Sequence, residues 1–345
     1  MKEEIREILS LINNNGYEAY IIGGYVRDKL LGINSLDIDI CTSAKYDALK
    51  KILPALKYID LFSSTLNINN LNIQITTYRI EKDYNGRKPL HIEYTPFFEE
   101  DIKRRDFTIN SIAMDKDGKL FDLYNGISDL NNRIIKTIGN SDTKIKEDHL
   151  RILRAIRFAT LLNFTFDDNL DNSIKKYGYL ISDLSIYRKR EELDKILSNV
   201  NYHYGLNLIK KYDLFKYLGI RNLNNIKYCY NLIGMYYMLD IEPIYLTNKE
   251  LKIYNMLKKY ENKILIKYDL FCLGLEKIKI IDDVFNSNYV NIYNNLVIKS
   301  EKELKIDYNN IKENFSDIKK DIIINILDGK LENDYDKINN FINNK

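Results

Sequence analysis

The sequence predicts an α+β chain, with a mixed-sheet head of about 140 residues followed by an all-helical remainder. Three of the four prolines, Pro54, Pro89 and Pro96, and the short strand-like apolar runs fall in the first third. From about residue 142 onward the apolar spacing is helical almost everywhere, as in EDHLRILRAIRFATLL and LDGKLENDYDKINNFINN, and no fixed-period repeat is present. In order, a helix is expected over Glu3–Ile12, with Ile5, Ile8, Leu9 and Ile12 on one face, ending at Gly16. Strand Ala19–Ile22, a Gly23-Gly24 turn, a short helix to Leu31 and strand Leu36–Ile40 follow. A helix over Ser43–Ile52 then leads to strands Lys57–Leu61, Leu66–Asn69 and Leu71–Tyr78. This division predicts a head at 1–140, a helical neck at 141–200, a helical body at 201–300 and a helical tail at 301–345.

Composition narrows the chemistry. Lys+Arg number 52 against 49 Asp+Glu, so any polyanion site must be local rather than a property of the whole surface. Cys41, Cys229 and Cys272 lie far apart, as do His91, His149 and His203, which argues against disulfides and zinc and moves metal chemistry onto carboxylates. The amino terminus is charged throughout and no segment reaches membrane-spanning length, so a cytoplasmic protein without membrane contact is expected.

Three constellations carry chemistry. In a strand, Asp37 and Asp39 project to one face, where two carboxylates repel unless a cation lies between them. Gly23-Gly24 between a strand and a helix lets backbone N–H groups approach a phosphate, with Arg27 one turn in. It is neither a Walker A loop nor G-x-G-x-x-G. Asp148, Arg151, Arg154 and Arg157 recur every three residues as a slanting stripe on a helix, beside an apolar stripe of Leu150, Leu153 and Ile156. The arginines outnumber Glu147 and Asp148, leaving guanidinium donors for phosphates or base edges.

These residues resemble a known family. GGYVRDKLLG followed by DID is similar to the signature of the polymerase-beta-like nucleotidyltransferases, within the class II tRNA nucleotidyltransferase and bacterial poly(A) polymerase group. KRRDFTINSIAMD (Lys103–Asp115), DLYNG (Asp122–Gly126), EDHLRILRAIRF (Glu147–Phe158) and SIYRKREELDKIL (Ser185–Leu197) resemble its later motifs in the same order. The last has Tyr187 where Glu is usual, with Arg188 and Glu192 in register at i,i+4, and reads as neck scaffolding.

The resemblance implies a polymerase-beta-like head and addition of CCA to the tRNA 3′ acceptor end from CTP and ATP. Asp37 and Asp39 would be catalytic and hold two Mg2+ ions, with Mn2+ the alternative. Gly24 and Arg27 would close the phosphate side, and Arg105 and Asp106 would face the nucleotide, Asp106 accepting from the ribose 2′-OH. Asp148 and Arg151 would read the edge of C or A, while Arg154 and Arg157 would hold the triphosphate. Gln74 stands where relatives often carry a third acid. Tyr78–Pro89 is expected to be a loop with Arg79, Glu81, Lys82 and Asp83, which favours full CCA addition over CC-only addition. A-adding enzymes, poly(A) polymerases and an inactive tRNA-binding protein are the alternatives, and no obligate protein partner is evident.

Overall fold

The apolar face read at the amino terminus forms α1 (Glu3–Asn14), with Ile5, Ile8, Leu9 and Ile12 all buried. The computed structural model describes residues 2–68, 71–85, 88–307 and 315–344. Asn69, at the end of one expected strand, residues 86–87 of the expected Tyr78–Pro89 loop and residues 308–314 of the expected tail lie outside the described residues. Two units are formed, Met1–Leu218 and Gly219–Lys345. The first contains the stretch expected as head and neck plus the first helix expected in the body.

After α1 come β1 (Ala19–Ile22), α2 (Gly24–Leu30), β2 (Ile38–Thr42), α3 (Tyr46–Ile52), β3 (Lys57–Asp60), β4 (Ser63–Ile68) and β5 (Leu71–Thr77). Then follow β6 (Arg79–Asn85), β7 (Lys88–Tyr94), α4 (Phe98–Lys103), β8 (Ala113–Met114) and β9 (Leu120–Phe121). Seven strands make one sheet, ordered β3-β4-β5-β2-β1-β8-β9. The β2–β5 pair is parallel and the others are antiparallel, so the sheet is mixed, as expected.

The sheet's two faces explain the placement of the acids. One face is covered by α1, which packs on β1 and α3. On the other, Ile22, Cys41, Tyr78, Phe98 and Ile102 form a buried cluster with Tyr20 and Phe121 packed against it. Side chains two apart in a strand share a face, so Asp39 and Cys41 are aligned, with Asp37 just ahead of them in the chain. Cys41 is completely buried and its thiol is pushed up to about 12 by that burial, whereas Asp37 and Asp39 are exposed. The cluster therefore ends where the carboxylates begin.

Three expectations are corrected here. The strand starts at Ile38 rather than Leu36, and Leu36 is 68% exposed, because the pairing of β2 with β5 begins at Ile38↔Ile73. Asp37 thus sits just before the strand and Asp39 within it. The described part of the expected Tyr78–Pro89 loop is strand instead, with Arg79↔Tyr94, Glu81↔Ile92 and Tyr84↔Pro89 paired between β6 and β7. The helix expected to run on from Glu147 is broken. α5 (Gly126–Asn131), β10 (Ile134–Ile135) and α6 (Ser141–Glu147) precede the break, and α7 (Leu150–Leu162) follows it. At the break Asp148 is extended (φ −144°, ψ 103°) and its carboxylate accepts from the Leu150 N–H at 3.1 Å, which starts the new helix.

β11 (Thr165–Phe166), paired parallel to β10, then α8 (Asp168–Tyr177), α9 (Ile186–Leu197) and α10 (Tyr202–Lys211) complete the first unit. The second unit is helical: α11 (Leu232–Met238), α12 (Asn248–Tyr260), α13 (Lys267–Leu273), α14 (Leu275–Phe285), α15 (Tyr289–Asn294), α16 (Phe315–Leu327) and α17 (Tyr335–Asn343). Met235, Tyr236, Tyr254, Leu257, Leu270, Ile278, Ile322 and Ile338 are buried in it. In the closing stretch α16 ends at Leu327 and α17 starts at Tyr335; between them Gly329 takes φ +74°, and Asp334 caps α17 by accepting from Asp336 and Lys337 N–H. Among the described residues no helix is long and apolar enough to cross a membrane.

DLYNG is a tight packing point. Asp122 accepts from the N–H groups of Gly126 (2.7 Å) and Ile127 (2.9 Å), opening α5, and a Cβ on Gly126 would run into the Thr108 carbonyl and the Ile112 side chain. Backbone on one side cannot yield, so Gly126→Ala is expected to cost about 3 kcal/mol. Urea unfolding checks it; an unchanged midpoint would refute the packing argument.

Candidate active site

A cleft of about 720 Å³ opens at the end of the sheet where Asp37 and Asp39 emerge. All ten residues to which the sequence assigned chemistry line it: Gly24, Arg27, Asp37, Asp39, Arg105, Asp106, Asp148, Arg151, Arg154 and Arg157. They come from α2, β2 and the residue just before it, the segment after α4, the α6–α7 break and one side of α7.

On the sheet side, Gly23 takes φ +81°, and a Cβ there would lie 3.6 Å from the Asp39 carboxylate. The conformational demand at this turn thus falls on Gly23, while Gly24 opens α2. Arg27 is buried, not solvated: its Nε and Nη2 donate to Asp28 at 2.8 and 2.6 Å, and Nη1 donates to Asn110 Oδ1 at 2.7 Å. Asp39 lies open at the cleft floor with protein on several sides. Burial raises its pKa, Arg105 opposes that rise, and Asp37 adds to it.

Asp101, fully buried on α4, anchors the next wall. It accepts from Arg104 Nε (2.9 Å), Arg105 Nη2 (3.0 Å) and the Arg79 N–H (3.2 Å); burial works against its charge, but the two arginines hold its carboxyl below the usual range. Glu81 joins the hairpin to this wall, accepting from Arg79 Nε (2.6 Å) and Tyr84 OH (2.7 Å) and lying 3.5 Å from Arg104. The Arg105 Nε is buried with no hydrogen-bond partner.

Each arginine of the α7 stripe is engaged by protein partners. Arg151 is buried and donates to the Lys144 carbonyl (2.6 Å), Glu147 (2.7 Å) and the Arg104 carbonyl (3.0 Å), tying the helix break to the end of α4. Arg154 pairs with Asp106, whose other oxygen accepts from the Phe107 N–H at 2.8 Å. Burial disfavours the Asp106 charge, yet Arg154 overrides this and holds its pKa down to about 2. Arg157 donates to Glu192 at 2.6 Å. In α9, Arg188 turns to Glu191, while buried Glu192 reaches across to α7.

Sequence reasoning missed Asp28, Asp101 and Glu192 as the carboxylates that hold these arginines, and Phe158 as the ring they surround. Arg157, Arg27 and Arg154 lie 4.1, 5.3 and 5.6 Å from the Phe158 centroid. The adjacent Arg27-Asp28 pair was a visible signal, but nothing near Arg157 in sequence marks Glu192. Each guanidinium has five N–H donors, and here a carboxylate engages one side. The cleft thus presents preorganised donors above two exposed carboxylates, an arrangement suited to a nucleoside triphosphate.

Comparison with known proteins agrees. Residues 19–136 match the Poly A polymerase head domain, and residues 163–220 match the probable RNA and SrmB-binding site of polymerase A. The CCA-adding enzyme of Ligilactobacillus salivarius is 32% identical over 87% of this chain and 84% of that enzyme. The chain belongs to the family of CCA-adding enzymes and bacterial poly(A) polymerases. The Staphylococcus aureus CCA-adding enzyme is 38% identical over 219 residues, and the chain spans 55% of that relative's length and 63% of its own. The crystal structure of the Bacillus stearothermophilus CCA-adding enzyme in complex with CTP superposes with a TM-score of 0.85 over 100% of this chain and 98% of that one, at 23% identity, which fixes the fold.

Among the described residues no group of three His, Cys, Asp or Glu side chains is poised for a metal. Asp37 and Asp39 fit a hard divalent cation as a two-carboxylate set: both are exposed oxygen donors, and their mutual repulsion is relieved by a cation. Gln74 pairs directly with Asp39 across β2–β5, so the neighbouring strand supplies an amide beside this carboxylate.

Proposed function

We propose that the chain adds CCA to the 3′ end of tRNA without a template, using CTP and ATP and releasing pyrophosphate. The observation that carries this reading is that one cleft joins the Asp37–Asp39 pair to Asp148 and Arg151, combining a phosphoryl-transfer centre with a base-reading pair. C and A both present an amino donor beside a ring-nitrogen acceptor, whereas G and U present the reverse. An Asp acceptor beside an Arg donor therefore suits C and A alike, and the three anchors on Arg151 fix that donor before substrate arrives. Arg27, Arg154 and Arg157 hold the triphosphate, each oriented by its carboxylate partner. Asp106, besides anchoring Arg154, accepts from the ribose 2′-OH through a remaining lone pair. Asp37 and Asp39 would hold divalent cations, Mg2+ or Mn2+, which when bound supply charge neutralisation for the reacting phosphates.

Purified protein is offered tRNAs ending at the discriminator base, at C and at CC, with CTP, ATP and Mg2+. Extension of all three to CCA, lost in Asp37→Ala, is the expected result. No extension of any substrate, or extension surviving Asp37→Ala, refutes it, and long A tails on arbitrary RNA would assign poly(A) polymerase activity.

A further inference from the structure

Asp39 stands at one end of a row that crosses the sheet. The register pairs Asp39 (β2) with Gln74 (β5), Gln74 with Thr65 (β4) and Thr65 with Lys57 (β3). Directly paired residues point to the same face, so these four side chains form a line perpendicular to the strands. At roughly 4.8 Å per strand the line is about 14 Å long. Gln74 and Lys57 are exposed and Thr65 is half-buried. Asp60, near the outer end, directs its carboxylate to the Phe62 N–H at 2.9 Å. A second cavity of about 260 Å³ lies beside the row, lined in part by Asp39, Ser63, Gln74 and Thr76, and it shares Arg79 and Arg105 with the main cleft.

We propose that this row is the track of the single-stranded 3′ end of the acceptor RNA, with the terminal nucleotide over Gln74, its 3′-hydroxyl at Asp39 and an upstream phosphate on Lys57. The proposal rests on the nucleotidyl-transfer reading of the cleft. In-line displacement places the nucleophile and the leaving group on opposite sides of the reacting phosphorus. Asp39 lies between β1, which feeds the Gly23-Gly24 turn and Arg27, and β5, which carries Gln74. The triphosphate grip occupies the first side, so the attacking strand comes from the second. The side chains there suit an RNA strand of any sequence: amide and hydroxyl groups meet ribose hydroxyls and base edges, and a lysine meets phosphate. Gln74 offers that strand an uncharged donor and acceptor. The row's length matches about four stacked nucleotides, fewer if the strand is extended.

Binding of the full chain to a tRNA acceptor minihelix ending in CC, and to the same minihelix without its single-stranded end, tests the track in the absence of nucleotide. Lys57→Ala is expected to lower the slope of log affinity against log salt by about 0.7 for the tailed RNA, which is about fivefold in affinity at 0.1 M salt relative to 1 M. The blunt RNA should bind both proteins equally, Gln74→Glu should also weaken the tailed RNA, and the KM for acceptor should rise in Lys57→Ala while that for CTP holds. Equal loss for both RNAs, an unchanged slope, or a shift in the CTP KM instead overturns the track. A chain that binds tailed RNA in this way but adds no nucleotide would sink the proposed activity and leave the track standing. Full CCA addition with unaltered tail binding in Lys57→Ala would sink the track alone.

Discussion

Replacing Asp39 with Ala is expected to slow nucleotide addition about a thousandfold, the rate equivalent of losing several kcal/mol of charge stabilisation at the reacting phosphate. Stability should not fall with it. Burial and Asp37 both raise the Asp39 pKa, with Arg105 opposing, so its charged form is disfavoured in the metal-free native state. A raised carboxylate pKa means that folding is opposed once pH rises above the unfolded-state value, so Asp39→Asn should match or exceed the wild type in thermal midpoint at neutral pH. Mg2+ should raise the wild-type midpoint by mass action and leave the variant's unchanged. Retention of activity in Asp39→Ala, or a large drop in its midpoint without Mg2+, would show that Asp39 is a structural residue.

Arg154→Ala is expected to cost about 2 kcal/mol of stability at neutral pH, because it strands the Asp106 carboxylate. The figure sits below the range for a fully buried pair, since Arg154 is itself 34% exposed and water can follow its removal. Asp106 falls from its ordinary value of 3.8 to about 2 in the native state. A depressed carboxylate contributes stability that is complete above the unfolded value and is lost as pH falls through the native one. The gap between wild type and Arg154→Ala should therefore be constant above about pH 5 and close as pH approaches 2, as read by urea unfolding at several pH values. Adding Asp106→Asn to Arg154→Ala should recover part of the loss, because no charge is then left unpaired. A pH-independent gap would assign the loss to packing. The KM for CTP should rise in Arg154→Ala, since the guanidinium is also part of the triphosphate grip.

Much of the head was legible because its signals are local. The α1 face, the Gly-Gly turn and the pairing of Asp37 with Asp39 depend on residues within a few positions of one another, where period and turn chemistry act. The misreadings share a different cause. Leu36 looked like the start of a buried strand because it continues an alternating pattern, but burial there depends on β5 pairing, which starts at Ile38. Glu147 to Leu162 looked like one helix because its period is unbroken, and the interruption comes from Asp148 taking the Leu150 N–H. The Tyr78–Pro89 stretch is polar enough to read as a loop, yet its strands find partners in each other.

The site divides in the same way. Which side chains carry charge, and which of them recur in motif-like order, can be read along the chain, because residue type and spacing are properties of the chain itself. Which carboxylate holds which arginine cannot, since Arg157 meets Glu192 and Arg154 meets Asp106 across 35 and 48 residues. Those pairings set donor direction, burial and the depressed Asp106 pKa. They arise from packing α7 against α9 and against the segment after α4, a long-range outcome that three-residue spacing does not encode. The row from Asp39 to Lys57 is of the same kind: four residues on four strands become neighbours only through sheet register.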